Sequence, residues 1–419
     1  MLEMKAPKER VILVGFGKEY GNEDILHDDP LIELQLLAET AGAKVVGTLT
    51  QSRSSVDPRY YIGKGKAEEL KEKVSDLEAT TVIFDNDLSP AQVKNHEKLL
   101  EIKVIDRSGL ILDIFALRAR TSEAKTQVEL AQLQHLLPRL TRQWTHLSRQ
   151  VGGIGVRGPG ETQLEVDRRM IRKRITRLAD NLKTIEKRRD ISRKSRNAGF
   201  NVSLVGYTNA GKSTLFNVLS NASAPVENKL FKTLDSMSRA IKLPNTPEVI
   251  ISDTVGFIRN LPHELIASFK STLDDVRNAD VLLHVIDINN SHWQEQLKVV
   301  EDVLNDIDSS EIETIMVFNK LDLLDNPATP DAVRSRYASS VFVSAQTGEG
   351  IEELKELINT TALKKKNLFT MEFGPDDSQL MSEIYRHGKI LETQGNENSI
   401  TLTFTIPESI AGKLGISKK

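Results

Sequence analysis

The 419-residue chain contains no cysteine, which excludes disulfides and thiolate metal sites. Histidine is scarce: eight residues, with no HxxxH or HExxH spacing, so a dedicated transition-metal centre is not expected. No apolar run reaches the roughly 18 residues a membrane crossing needs. The first ten residues, Met-Leu-Glu-Met-Lys-Ala-Pro-Lys-Glu-Arg, lack the apolar core of a secretory leader. A cytoplasmic location is the expectation. Net charge is only −3, but that figure averages over a segregated distribution. What remains, 39% hydrophobic and 27% charged residues, suits a globular protein of about three domains.

The most informative stretch is Gly206-Tyr207-Thr208-Asn209-Ala210-Gly211-Lys212-Ser213. It follows the apolar run Val202–Val205 and precedes a helix-like run from Thr214 to Leu219. G-x-x-x-x-G-K-S between a strand and a helix is a P-loop. Its glycines let backbone N–H groups turn inward around phosphate oxygens, and the helix N-terminus adds a favourable dipole. Lys212 is expected to reach the β- and γ-phosphates and Ser213 to hold Mg²⁺.

Later segments select the nucleotide. A strand-like run ends in Asn319-Lys320-Leu321-Asp322. An aspartate there accepts from the ring N–H and exocyclic amine of guanine, and adenine offers neither in that arrangement. The Lys320 stem would lie along the base, and Asn319 would tie this loop to the P-loop. Ser344-Ala345 would supply the loop at the guanine carbonyl. Asp253-Thr254-Val255-Gly256 follows another strand: Asp253 suits Mg²⁺ through water, and the Gly256 N–H suits the γ-phosphate. Between these motifs lies Leu230-Phe231-Lys232-Thr233-Leu234-Asp235, where Thr233 is the expected switch threonine on Mg²⁺. The reaction class is GTP hydrolysis, with Lys212, Thr233 and Gly256 acting on the transferred phosphoryl group. Phe257 stands where many GTPases carry a water-orienting glutamine. Slow hydrolysis by the isolated protein is therefore expected, completed by a partner or another residue.

From Arg168 to Arg196 basic residues outnumber acidic ones roughly four to one. Met170, Ile171, Ile175, Leu178, Leu182 and Ile185 recur at helical spacing. Gly109–Gln150 also reads as one long helix. Between them lies the glycine-rich stretch 151–160, so the whole reads as a helical hairpin with a bare-backbone tip. Its G-x-G-x-x-G has no preceding strand, which argues against a dinucleotide site. Arg142, Trp144, His146, Arg149 and Arg157 around the tip, with Arg168, Arg169, Arg172 and Lys173 on the basic helix, suit RNA phosphates and bases.

The predicted fold class is α/β. A small α/β domain (1–106) is followed by the helical hairpin (107–198), a P-loop GTPase domain (199–363) and a small α+β C-terminal domain (364–419). Tyr61–Lys66 opens a helix in the first domain. An anion site and a plain loop leading into a helix are equally compatible with it. The tail reads strand, helix, strand, strand, short helix, with little core of its own.

At this point the chain resembles the HflX family of ribosome-associated GTPases over almost its whole length. The carrying residues are Gly152–Glu165, the P-loop, Phe231–Asp235, Asp253–Arg259, Asn319–Asp322 and Thr121–Leu133. The resemblance implies GTP-dependent binding to the large ribosomal subunit and its RNA, with the hairpin directed at the peptidyl-transferase region, and ribosome splitting under stress. It also implies a Mg²⁺ cofactor, and some members are described as hydrolysing ATP through the N-terminal domain. The family carries a hydrophobic residue at the position of Phe257, and usually an alanine at that of Lys232. A protein that is monomeric off the ribosome is expected. The competing reading is a GTP-switched regulator of a protein or acidic membrane surface, the latter met peripherally by the basic helix. The glycine-rich tip argues against lipid, which needs no close backbone approach.

Overall fold

The computed structural model describes residues 8–17, 31–140, 163–194, 199–221, 230–231, 237–244, 249–260, 270–324, 329–337, 339–365, 368–374, 377–395, 399–406, 414 and 416. The chain divides into two compact units. The first is Met1–Asp190 with Glu227–Asp235 and Asn260–Ser271; the second is Ile191–Val226, Ser236–Arg259 and Thr272–Lys419.

The first unit is built on β1 (Arg10–Phe16), β2 (Lys44–Gln51), β3 (Thr81–Phe84) and β4 (Lys103–Asp106), ordered β2-β1-β3-β4 and all parallel. β3 is buried along its whole length, the continuous apolar pattern of a sheet covered on both faces. The covering helices are α1 (Ile32–Thr40), α2 (Lys64–Asp76) and α3 (Pro90–Leu100). Ser89 caps α3 in a capping box with Gln92, and Pro90 opens its first turn. At the start of α2, the Gly63 N–H donates to Gln51 Oε1 at 2.8 Å, which fits a plain loop leading into a helix.

The long helix expected over Gly109–Gln150 is broken. α4 (Arg107–Arg118) ends at an extended Ala119, and α5 (Ser122–Leu136) restarts where Thr121 accepts from Ala124 N. A short 3₁₀ turn, Leu137–Arg139, follows. The cap supplies a local alternative to the continuing helix ladder. α6 (Gln163–Lys194) is a single 32-residue helix. It packs antiparallel on α5, with Leu178 and Leu182 buried against Leu130, and Arg174 bridging Glu129 at 2.8 Å. The tip, including Arg149 and Arg157, lies outside the described residues.

The second unit holds a six-stranded sheet, β10-β9-β8-β5-β7-β6, antiparallel only at β6. Its strands are β5 (Phe200–Gly206), β6 (Met237–Ile241), β7 (Val249–Asp253), β8 (Val281–Asp287), β9 (Thr314–Asn319) and β10 (Ser340–Phe342). Leu204, Leu215, Val249, Leu283, Val317 and Leu354 are fully buried in its main core. The helices are α7 (Lys212–Leu219), α8 (Lys270–Arg277), α9 (Trp293–Asp306), α10 (Thr329–Arg336) and α11 (Ile351–Lys365). The tail forms a three-stranded antiparallel sheet, β11 (Leu368–Phe373), β13 (Ile400–Thr405), β12 (Lys389–Gly395), with α12 (Ser378–His387). Phe369, Phe373, Ile384, Leu402 and Phe404 give it a core of its own, more than the sequence suggested. The α/β class holds throughout, with the P-loop domain and the small C-terminal sheet both present. Among the described residues no helix is long and apolar enough to cross a membrane.

Candidate functional site: the loops at the carboxyl ends of the second sheet

Three parallel strands of this sheet end in the residues the motifs single out. β5 ends at Gly206, β7 at Asp253 and β9 at Asn319. In open parallel sheets ligands bind outside these carboxyl ends. The P-loop runs from Gly206 to α7, whose N-cap is Gly211 in the left-handed region (φ 96°). A Cβ on Gly211 would stand 2.1 Å from Asn319 Nδ2, so the position admits only glycine. Tyr207, Thr208, Ala210 and Lys212 are buried; Asn209 is exposed with φ 65°, and Ser213 and Thr214 are partly buried in the first turn.

Lys212 does not point to solvent. Its Nζ donates to the carbonyls of Gly206 (2.9 Å) and Tyr207 (2.7 Å). Burial pushes its ammonium down to about 8, against the opposing pull of Asp253. His284, in the middle of β8, is pushed down to about 3 by burial and then by Lys212, so it is neutral at ordinary pH.

Ser213 Oγ donates to Asp253 Oδ2 at 2.7 Å. Two hard oxygen ligands thus meet at the head of α7, a donor set that suits Mg²⁺, which takes few protein ligands and completes its shell with water and phosphate. Thr254 Oγ1 donates to Leu204 O, locking the turn after β7. Val255 and Phe257 are buried. A Cβ on Gly256 would lie 2.9 Å from Thr208 Cγ2 and 3.0 Å from Lys212 Nζ, so Gly256 adjoins the P-loop closely.

The residues expected to read the base also converge. Asn319 Nδ2 donates to Ala210 O (2.9 Å), while its Oδ1 accepts from Ala345 N (3.0 Å). Ser344 Oγ donates to Asp322 Oδ1 at 2.5 Å, and Asp322 is exposed. Leu321 sits in a short 3₁₀ turn behind Lys320, whose φ is 67°. Lys320 Nζ bridges Asp287 Oδ2 at 2.5 Å. Sequence reasoning missed Asp287. Its signal was an apolar strand ending in aspartate, Val281–Asp287, the same pattern that marked Asp253. Phe231 is buried, in edge-on contact with Phe115 at 4.6 Å. Lys232, Thr233, Leu234 and Asp235 lie outside the described residues. On α6, Arg169, Arg172 and Lys173 are exposed, whereas Arg168 donates to Leu140 O at 2.6 Å and is half-buried.

The six-stranded sheet, the P-loop and the guanine-type loop together define a P-loop GTPase, a GTP-hydrolysing enzyme that binds GTP and GDP. Family models match residues 28–116 (GTP-binding GTPase N-terminal), 118–196 (GTP-binding GTPase Middle Region) and 201–320 (50S ribosome-binding GTPase). The chain is 45% identical over 416 residues to the GTPase HflX of Caldanaerobacter subterraneus subsp. tengcongensis, covering 99% of this chain and 95% of that one. It is 46% identical over 383 residues to GTPase HflX of Escherichia coli, covering 90% of each. A GTP-binding protein of Sulfolobus solfataricus solved with GDP is 26% identical, with a TM-score of 0.45 over 85% of this chain and 99% of that chain. The chain belongs to the HflX family of GTPases.

Proposed function

We propose that the GTP-loaded protein binds the large ribosomal subunit through ribosomal RNA and splits or rescues ribosomes under stress. The ribosome stimulates hydrolysis, and hydrolysis releases the protein. The observation that carries this reading is the long helix α6, with Arg169, Arg172 and Lys173 exposed on it. Cationic side chains on one rigid rod suit RNA phosphates. The match over 201–320 to a model described as a 50S ribosome-binding GTPase supports the same partner.

In this reading residues 1–106 and the hairpin 107–198 form the ribosome-facing part, 199–363 is the GTP switch, and 364–419 is an appended domain. Gly206 through Thr214 hold the phosphates, and Lys212 exchanges its two carbonyl partners for phosphate oxygens. Ser213 and Thr233 hold Mg²⁺, with Asp253 acting through water. Bound there, Mg²⁺ neutralises charge on the β- and γ-phosphates. The Gly256 N–H meets the γ-phosphate, with Thr254 and Val255 shaping the turn, and Phe231–Asp235 count among the nucleotide-binding residues. Asn319, Lys320, Leu321, Asp322, Ser344 and Ala345 read guanine. Arg149, Arg157, Arg168, Arg169, Arg172 and Lys173 contact RNA. The protein acts in the cytoplasm and is a monomer away from the ribosome.

The test is GTP turnover by the purified protein with and without large ribosomal subunits, at low and moderate salt. Salt-sensitive stimulation of about tenfold or more is expected, because releasing counterions from RNA makes docking salt-dependent. Unchanged turnover with intact GTP binding would refute the ribosome-activated reading.

A further inference from the structure

We infer that the hydroxyl of Thr208 orients the water that attacks the γ-phosphate. The inference rests on the GTP site proposed above and assigns the role that Phe257 leaves open.

Phe257 is 2% exposed, and its backbone is clamped to the P-loop from both sides. Thr208 N donates to Phe257 O at 2.7 Å, and Phe257 N donates to Gly206 O at 3.1 Å. An apolar ring has no group to orient water, and this clamp prevents the peptide from swinging aside. The water-orienting group must come from another residue at the same spot.

Thr208 meets that requirement. Its side chain packs directly on Gly256, and its Oγ1 is buried with no hydrogen-bond partner. The residue is 7% exposed. A buried hydroxyl left unpaired is costly, so such groups call for a partner that arrives with function. The neighbours identify the partner. Thr208 Cγ2, Thr208 Cα and Lys212 Nζ all lie within 3.0 Å of where a Gly256 Cβ would be. Gly256 and Lys212 are the two groups assigned to the γ-phosphate, so the Thr208 side chain, packed on Gly256, is next to both. The Lys212 ammonium rests on the Gly206 and Tyr207 carbonyls, 3.0 Å from where a Gly256 Cβ would be.

Thr208 Oγ accepts a hydrogen bond from the attacking water and fixes its approach. The water oxygen bonds to the γ-phosphorus as the bridging P–O bond breaks, and that electron pair stays on GDP. GTP and water become GDP, phosphate and a proton. The hydroxyl is not consumed.

The test compares the full-length wild type with T208V, which keeps the shape and loses the hydroxyl, and T208S, which keeps the hydroxyl. Binding of a fluorescent GTP analogue and single-turnover hydrolysis are measured on each. T208V is expected to bind within about threefold of wild type and to hydrolyse roughly 10- to 100-fold more slowly, the scale of a lost positioning contact. T208S is expected to stay within about threefold of the wild-type rate. T208V hydrolysing at the wild-type rate overturns the proposal, and so does T208S slowed as much as T208V. T208V losing affinity in step with rate also overturns it, since the hydroxyl would then be a binding group. If T208V does not fold, T208A takes its place with the same expectations. A wild type that does not bind GTP overturns the site reading and this inference together, a result distinct from the others because it precedes any substitution.

Discussion

Both parallel sheets of this chain carry charge at the carboxyl ends of their strands, and they use it in opposite ways. In the first unit Arg107, 1% exposed, bridges Asp85 at 2.6 Å and also pairs with Glu33. Ser108 donates to Asp87 at 2.6 Å. Burial alone would raise the Asp106 carboxyl, but His135, 3.6 Å away, and Arg139, bonded at 2.5 Å, outweigh it and hold the group well below the usual carboxylate range. In the second unit the buried cation, Lys212, rests on two neutral carbonyls. Carboxylates hold a cation permanently, whereas carbonyls release it to a stronger anion. The carboxyl ends of parallel strands thus carry a closed, structural charge cluster in one sheet and an exchangeable, ligand-ready cation in the other.

The largest expected effect falls on the closed end. Arg107→Met strands two carboxylates and should destabilise the protein by about 3–5 kcal/mol, measured by chemical denaturation, with GTP affinity of the folded protein unchanged. Unaltered stability would break the comparison. Lys212→Ala should do the reverse. GTP binding should weaken about 10²- to 10³-fold while the melting temperature holds or rises, because a buried ammonium has been removed. A calorimetric titration beside a melting curve checks both halves.

The smallest effect is on pH. With the empty-state Lys212 at about 8 and a charged ammonium required on phosphate, binding above pH 8 must take up a proton. GTP affinity should fall by at most about tenfold per pH unit above 8, and Lys212→Ala should remove that slope. A titration series from pH 7 to 9 reads it directly. The same shift has the opposite sign for the empty fold. A lysine lowered from 10.5 penalises folding fully below about pH 8, and the penalty fades as pH rises toward 10.5.

The catalytic loops were legible in the sequence because phosphate and guanine recognition demand fixed residue types in short contiguous stretches. Gly206–Ser213, Asp253–Gly256 and Asn319–Asp322 stand at strand ends as their motifs required. The α/β character of the first domain was legible as well. Pairings between distant residues were not. Glu33 and Arg107 are 74 positions apart, and Asp287 and Lys320 are 33 apart, with no local pattern joining them. The break at Ala119 escaped notice because apolar spacing continues across it, and only the Thr121 cap marks the restart.

Asn319 joins the phosphate loop, through Ala210, to the guanine loop, through Ala345. One carboxamide thus makes the two halves of the pocket a single preassembled surface. Guanosine alone, or triphosphate alone, would find its own half ready and leave the other half idle. GTP meets both at once, as a chelating ligand does. Its binding free energy should therefore exceed the sum for the two fragments, the excess being entropy that the fold has already given up.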